Sequence, residues 1–256
     1  MKKHLKNWTF RLLFTGLFLF GLLVVFMLNP IQLYANKSMS GNYTIYHNQP
    51  IDEHFLPRLE RSVSIVKGSE LYDPDIKIDI CLSDGSKYPG LIEKVLGRDA
   101  LATFYNKIVF TGDEVNFEEN YILFYGHKIN LEEMLAHVQV HCLEFKKYGL
   151  WKSNPIAGYP EWKWEGYPEY IARQNSQSGD LRADINKLLK AEQDSDTGWM
   201  TLPDSTETLA HYFRYRLLIQ YCLEIKKMTF VSLLQDTTSE ETVRLQMMDW
   251  YAKPSD

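Results

Sequence analysis

The sequence predicts an α+β domain carried behind one membrane-spanning helix, and three observations lead to that reading. An uncharged run, LLFTGLFLFGLLVVFML, occupies residues 12–28. The stretch from Tyr43 to Gly126 is rich in β-branched and aromatic residues, in part alternating with a period of two. From Asn130 onward the apolar spacing becomes helical. The expected architecture is an N-terminal mixed sheet with helices, a long central helix and a helical C-terminal half.

The apolar run holds a single polar side chain, Thr15. As a helix it extends about 25 Å at a rise of about 1.5 Å per residue, at the short end of what a bilayer requires, and Asn29-Pro30 stops it. Lys2, Lys3, Lys6 and Arg11 precede it and only Lys37 follows closely, which predicts a basic cytoplasmic tail at residues 1–11, a signal anchor at 12–28 and an extracytoplasmic body. The competing reading is a cleaved signal peptide, with Leu33 and Ala35 as a loose cleavage site, although the run exceeds the usual apolar core of about 7–15 residues. Residues 29–42 read as a polar linker, and the folded domain is expected over 43–256.

Along the domain, YTIYH reads as a strand. Ile51, Phe55, Leu59, Val63 and Val66 then have near-helical spacing. DIKIDICL alternates with Ile76, Ile78, Ile80 and Leu82 on one face, and ATFYNKIVF and NYILFYG are further strand candidates flanking the turn-like TGDEVNFEEN. Asn130 with Glu133 three residues on forms a capping pair for a helix running to Gly149. Helices are expected near 163–174, 181–192, 205–227 and 239–251.

Of 28 basic residues four lie before residue 12, so 24 remain in the rest of the chain against 33 acidic ones, a net charge of −9. So acidic a body argues against nucleic-acid binding. Ordinary globular composition excludes a disordered or fibrous chain. Cys81, Cys142 and Cys222 can form at most one disulfide, so the fold does not rest on a bridge framework.

Chemistry is concentrated in His137-Val138-Gln139-Val140-His141. Histidines at i and i+4 project from one helix face within reach of a single metal ion, as a zinc site requires. Such a pair is weak evidence alone. Downstream, however, stands Pro160-Glu161-Trp162-Lys163-Trp164-Glu165-Gly166-Tyr167-Pro168-Glu169-Tyr170. Together these segments resemble the gluzincin class of zinc metallopeptidases, in which a HExxH helix supplies two histidines and a later W-x-x-E-G-x-x-E-Y-like helix a glutamate. The resemblance is closest over residues 120–175. It implies a zincin-like fold and one zinc ion held by His137, His141 and Glu165. Glu169, one helical turn after Glu165, is expected either to orient a ligand from behind or to be an exposed charge.

The sequence departs from that pattern at position 138, where the catalytic glutamate is replaced by Val138. An isopropyl group can neither accept a proton from the attacking water nor pass one to the leaving amine, and losing a general base commonly costs about 10²–10⁴ in rate. Gln139 is no base at neutral pH and points away, and Glu133 lies one helical turn back. His211, Tyr212 and Tyr215 are candidate hydrogen-bond donors to a transition state, the alternative and commoner role of such aromatics being core packing. Trp151, Trp162 and Trp164 are expected to brace the loop beneath Glu165, and Cys142 to be a small buried hydrophobe. The sequence is compatible with three functions: a zinc-holding binding or regulatory module with impaired hydrolysis and a peptide or protein ligand, an active zinc peptidase with another base, and a metal-free structural or interaction domain.

Overall fold

A computed structural model describes residues 2–174, 180–194 and 198–254. Helix α1 (Lys2–Leu28) joins the body at its last turn, and its window Arg11–Leu28 is apolar and long enough to cross a bilayer. A short 3₁₀ turn, Pro30–Leu33, leads into a mixed α/β body.

The residues expected to form a linker are instead part of the fold. β1 (Asn36–Ser40) pairs antiparallel with β2 (Tyr43–His47) through a tight turn in which Gly41 takes a φ of 56°. The strand escapes sequence reading because it is a polar edge strand, NKSMS, whose pattern is set by its neighbour and not by burial. Helix α2 (Phe55–Val66), β3 (Ile78–Cys81), α3 (Tyr88–Leu96) and the hairpin β4 (Leu101–Phe104) and β5 (Lys107–Phe110) follow. The five strands form one sheet in the order β1-β2-β3-β5-β4, with β2, β3 and β5 parallel and the outer strands antiparallel to their neighbours.

Side-chain alternation explains why this sheet is buried on both faces. Ile45, Ile80, Ile108 and Leu101 point to a core completed by α2 and the central helix. Their chain neighbours Tyr46, Cys81, Val109 and Ala102 point to a smaller cluster with Tyr34 and the α3 residues Tyr88 and Ile92. ATFYNKIVF is therefore two strands, turned at Tyr105, whose φ is 55°.

A meander of β6 (Glu114–Asn116), β7 (Tyr121–Phe124) and β8 (His127–Asn130) comes next. Tyr125 and Gly126 both have positive φ in the two-residue connection of β7 to β8, which suits the twist of a hairpin. Asn130 then accepts a hydrogen bond from the Glu133 backbone N–H and opens α4 (Leu131–Tyr148), which ends at Gly149 as the sequence predicts.

The C-terminal half contains α5 (Glu161–Trp164), α6 (Gly166–Ala172), α7 (Leu181–Asp194), a hairpin of β9 (Trp199–Thr201) and β10 (Glu207–Leu209), α8 (Ala210–Gln220) continued by a π turn at Tyr221–Ile225, α9 (Phe230–Gln235) and α10 (Glu240–Ala252). The half is mostly helical, as expected, except that the helix predicted from residue 205 starts at Ala210 because Glu207–Leu209 pairs with β9. Gly166 permits the close packing of α6 on α8: a Cβ there would meet Ile219 Cγ1 at 2.8 Å and the Tyr215 carbonyl oxygen at 2.9 Å. All three cysteines are buried and free.

Candidate metal centre

The central helix and the α5–α6 pair converge on one point. His137 and His141 lie a turn apart on α4, and Glu165 sits at the junction where α5 ends and α6 begins. His141 Nε2 is 3.1 Å from His137 Nε2 and 3.2 Å from Glu165 Oε2, and His137 Nε2 is 3.3 Å from that same oxygen. The three atoms form a nearly equilateral triangle. A tetrahedral zinc with bonds of about 2.0–2.1 Å places its donors about 3.3–3.4 Å apart, so the spacing matches three ligands of one ion.

The far side of each imidazole faces a carboxylate. Glu144 Oε2 lies 2.7 Å from His141 Nδ1, and Glu169 Oε1 lies 3.2 Å from His137 Nδ1, close enough for an ion pair although outside hydrogen-bond geometry. An Nδ1–H donated to Glu144 leaves the lone pair of a neutral His141 ring on Nε2, directed at the centre of the triangle. Glu169 is itself fixed by Arg173, whose Nε donates to its Oε2 at 2.8 Å, and Arg173 also pairs with Glu133. Trp164 lies against the His141 ring at 6.1 Å between centroids and stacks on Tyr159 at 5.6 Å.

This density of buried charge shifts every titratable member. Burial works against a charged His141, but the Glu165 and Glu144 carboxylates outweigh it and raise its pKa to about 10; His137 is raised in the same sense, with Glu165 and Glu169 overcoming burial. Burial alone raises a carboxylate, and it prevails at Glu144, which reaches about 7 despite His141. At Glu169 burial is overcome by Arg173 and His137, and the pKa falls to about 2; at Glu165 the two histidines likewise overcome burial and hold the group well below the ordinary range. With both imidazoles neutral, as ligation requires, the carboxylates Glu144, Glu165, Glu169 and Glu133 outnumber Arg173 and suit a cation.

The triad opens into a cleft of about 1060 Å³ with mostly aliphatic and aromatic walls. Val138 is among them, so the position next to His137 presents an apolar surface to the cleft. Of the three candidate donors, Tyr212 lines the cleft with its ring 6.4 Å from that of His137, whereas His211 and Tyr215 are not among the lining residues. Gln139 faces away: its Oε1 accepts from Tyr43 Oη at 2.7 Å and its Nε2 donates to Ser62 Oγ at 2.8 Å. Glu133 is occupied by Arg173. Trp162 and Trp164 are buried as expected of bracing residues, but Trp151 is 78% exposed and braces nothing, because its 3₁₀ turn (Leu150–Lys152) projects from the end of α4.

The sequence reading passes over three residues at the site. Glu144 follows His141 by three positions on the same helical face, a spacing that would have identified it. Arg173 follows Glu169 by four, with the same signal. Asp99 lies in the cleft wall, open to solvent yet enclosed by protein that raises its pKa against the opposing Ala100 backbone N–H; nothing in its local sequence marks it. Comparison with family models, curated proteins and solved structures finds no significant match to this chain, so the meaning of the triad rests on its own geometry.

Proposed function

We propose that the chain is a membrane-anchored, gluzincin-like zinc-binding module that lacks the general base of peptide hydrolysis and acts by holding a polypeptide ligand. The observation that carries this reading is the triangle of His137 Nε2, His141 Nε2 and Glu165 Oε2, backed by buried carboxylates at both Nδ1 atoms, with Val138 where a base would stand. A bound zinc would supply a Lewis-acidic centre for a carbonyl or carboxylate oxygen of the ligand. The residues around it would do the rest. Glu144 holds the His141 imidazole in the ligating tautomer, and Glu169 sets a negative charge beside His137 Nδ1. Tyr212 offers a hydroxyl to the bound group.

The rim of the sheet supports a polypeptide ligand. β4 is an edge strand, and Leu101 and Thr103 on it line the cleft, so its free backbone groups are available to an extended segment laid alongside. Lys2, Lys3, Lys6 and Arg11, on the part of α1 ahead of its apolar run, support a cytoplasmic N-terminus with the body outside. Retention of α1 is supported by Tyr34, which is buried and donates its hydroxyl to the Leu82 carbonyl at 2.9 Å; cleavage near Ala35 would remove it from the fold.

The test is peptide hydrolysis by wild type, Val138→Glu and Val138→Gln at matched zinc occupancy. Activity is expected to appear with Glu alone, because only that side chain can accept the proton. High wild-type activity that Val138→Glu abolishes would instead show a different base, and would overturn the binding-module reading.

A further inference from the structure

Three observations outside the triad meet at the mouth of the cleft. The first is the rigid join between α1 and the body. Tyr88 donates its hydroxyl to the Met27 carbonyl, Ser86 Oγ donates to the Leu33 carbonyl at 2.7 Å, and Met27 and Leu33 pack on the cluster of Tyr34, Tyr46 and Tyr88. No slack separates the membrane helix from the domain, so the height and tilt of the body over the bilayer are set. Leu28, the last residue of the apolar run and hence at the hydrocarbon edge, is itself one of the residues lining the cleft.

The second observation is the exposed apolar rim. Leu96 and Tyr105 on one wall and Leu150 on the other line the cleft and are 48%, 56% and 53% exposed. Beside Leu150 stand Trp151 at 78% and Ile156 at 50%. Trp and Tyr at such positions suit the headgroup layer, where one end of the ring is apolar and the other wet.

The third is local charge. The body is acidic overall, yet residues 145–160 contain Lys146, Lys147 and Lys152 and no Asp or Glu. Lys147 and Lys152 are exposed, and Lys146 reaches back to Asp73 at 2.5 Å. A basic, apolar loop on an acidic protein complements an anionic lipid surface.

Resting on the reading of α1 as a retained membrane helix, we propose that this rim, residues 145–156 together with Leu96 and Tyr105, seats in the headgroup layer of the bilayer that α1 crosses, with anionic phospholipid as its partner. The cleft then opens on the lipid–water interface, and a ligand reaches His137, His141 and Glu165 along the membrane surface. Lipid is the occupant because α1 already holds the rim beside it and because lysines, with no acidic residue among them, flank the apolar side chains.

The full chain, reconstituted in nanodiscs of phosphatidylcholine and phosphatidylglycerol with or without bromine on the acyl chains near the headgroup, tests this. The emission lost in Trp151→Phe isolates the signal of Trp151, a surface residue whose replacement leaves the fold alone. Bromolipid is expected to quench the larger part of that emission, and a Lys147→Gln, Lys152→Gln pair to reduce the quenching in phosphatidylglycerol discs while leaving it unchanged in phosphatidylcholine alone. Unquenched Trp151 emission at the wavelength of a water-exposed indole, in protein that resists alkaline carbonate extraction, would overturn the proposal while leaving the anchor intact. Protein that carbonate releases would overturn the anchor itself, and the seating with it.

Discussion

At His141 one imidazole is held between two carboxylates, Glu144 behind it and Glu165 before it, and this arrangement decides what the site can bind. Glu144 is fully buried and its acceptance of Nδ1–H fixes which nitrogen faces the centre. Glu144→Ala is therefore expected to weaken zinc binding by about 10–100-fold, with Glu144→Gln less affected because an amide oxygen still accepts the bond; competition against a chromophoric chelator measures both. Arg173 neutralises Glu133 and Glu169 in the same buried network, so Arg173→Met strands two carboxylates and is expected to cost about 3–5 kcal/mol in denaturant unfolding. The pair His137 and His141 is legible in the sequence because a helix brings i and i+4 together whatever surrounds it. Asp99 is not, because it reaches the cleft through tertiary packing alone, from the connection between α3 and β4.

Elements whose pattern follows from burial are the ones the sequence reveals. α4 has an N-cap, a buried stripe and a terminal glycine, and its limits can be read directly from Asn130 and Gly149. β1 has none of these, since its NKSMS run is polar and is held by pairing with β2; the short β6 and β10 are likewise defined by their partners. A chain starting at Asn36 loses Tyr34 from the cluster around Tyr88, and its stability is expected to fall by about 3–5 kcal/mol relative to a chain starting at Asn29, by analogy with aromatic truncations in cores. Between α6 and α8 the close approach at Gly166 sets a second test. Gly166→Ala improves helix propensity but forces the Cβ against the Tyr215 carbonyl, and the clash outweighs the gain: a loss of about 1–3 kcal/mol is expected, read from the midpoint of urea unfolding.

For the molecule as a whole, the join at Met27 and Leu33 ties the apolar helix to the body that carries the candidate metal triad. The proposed orientation predicts that protease added to intact cells digests the body while an N-terminal tag stays protected; a shielded body would show the opposite orientation. The mixed α/β class is legible from alternation in Ile45, Ile80 and Ile108 and from the helical spacing of α4, whereas the packing of α3 against the second face of the sheet is not, because Tyr88 and Ile92 signal a helix only once their neighbours are known. Whether the triad holds a metal is read from the zinc content of the full chain after equilibration with zinc and dialysis. One zinc per wild-type chain is expected, with X-ray absorption showing two nitrogen ligands at about 2.0–2.1 Å and the remainder oxygen, and almost none in His137→Ala, His141→Ala. Wild-type protein that dialyses free of zinc, or a double variant that keeps its zinc, would contradict it.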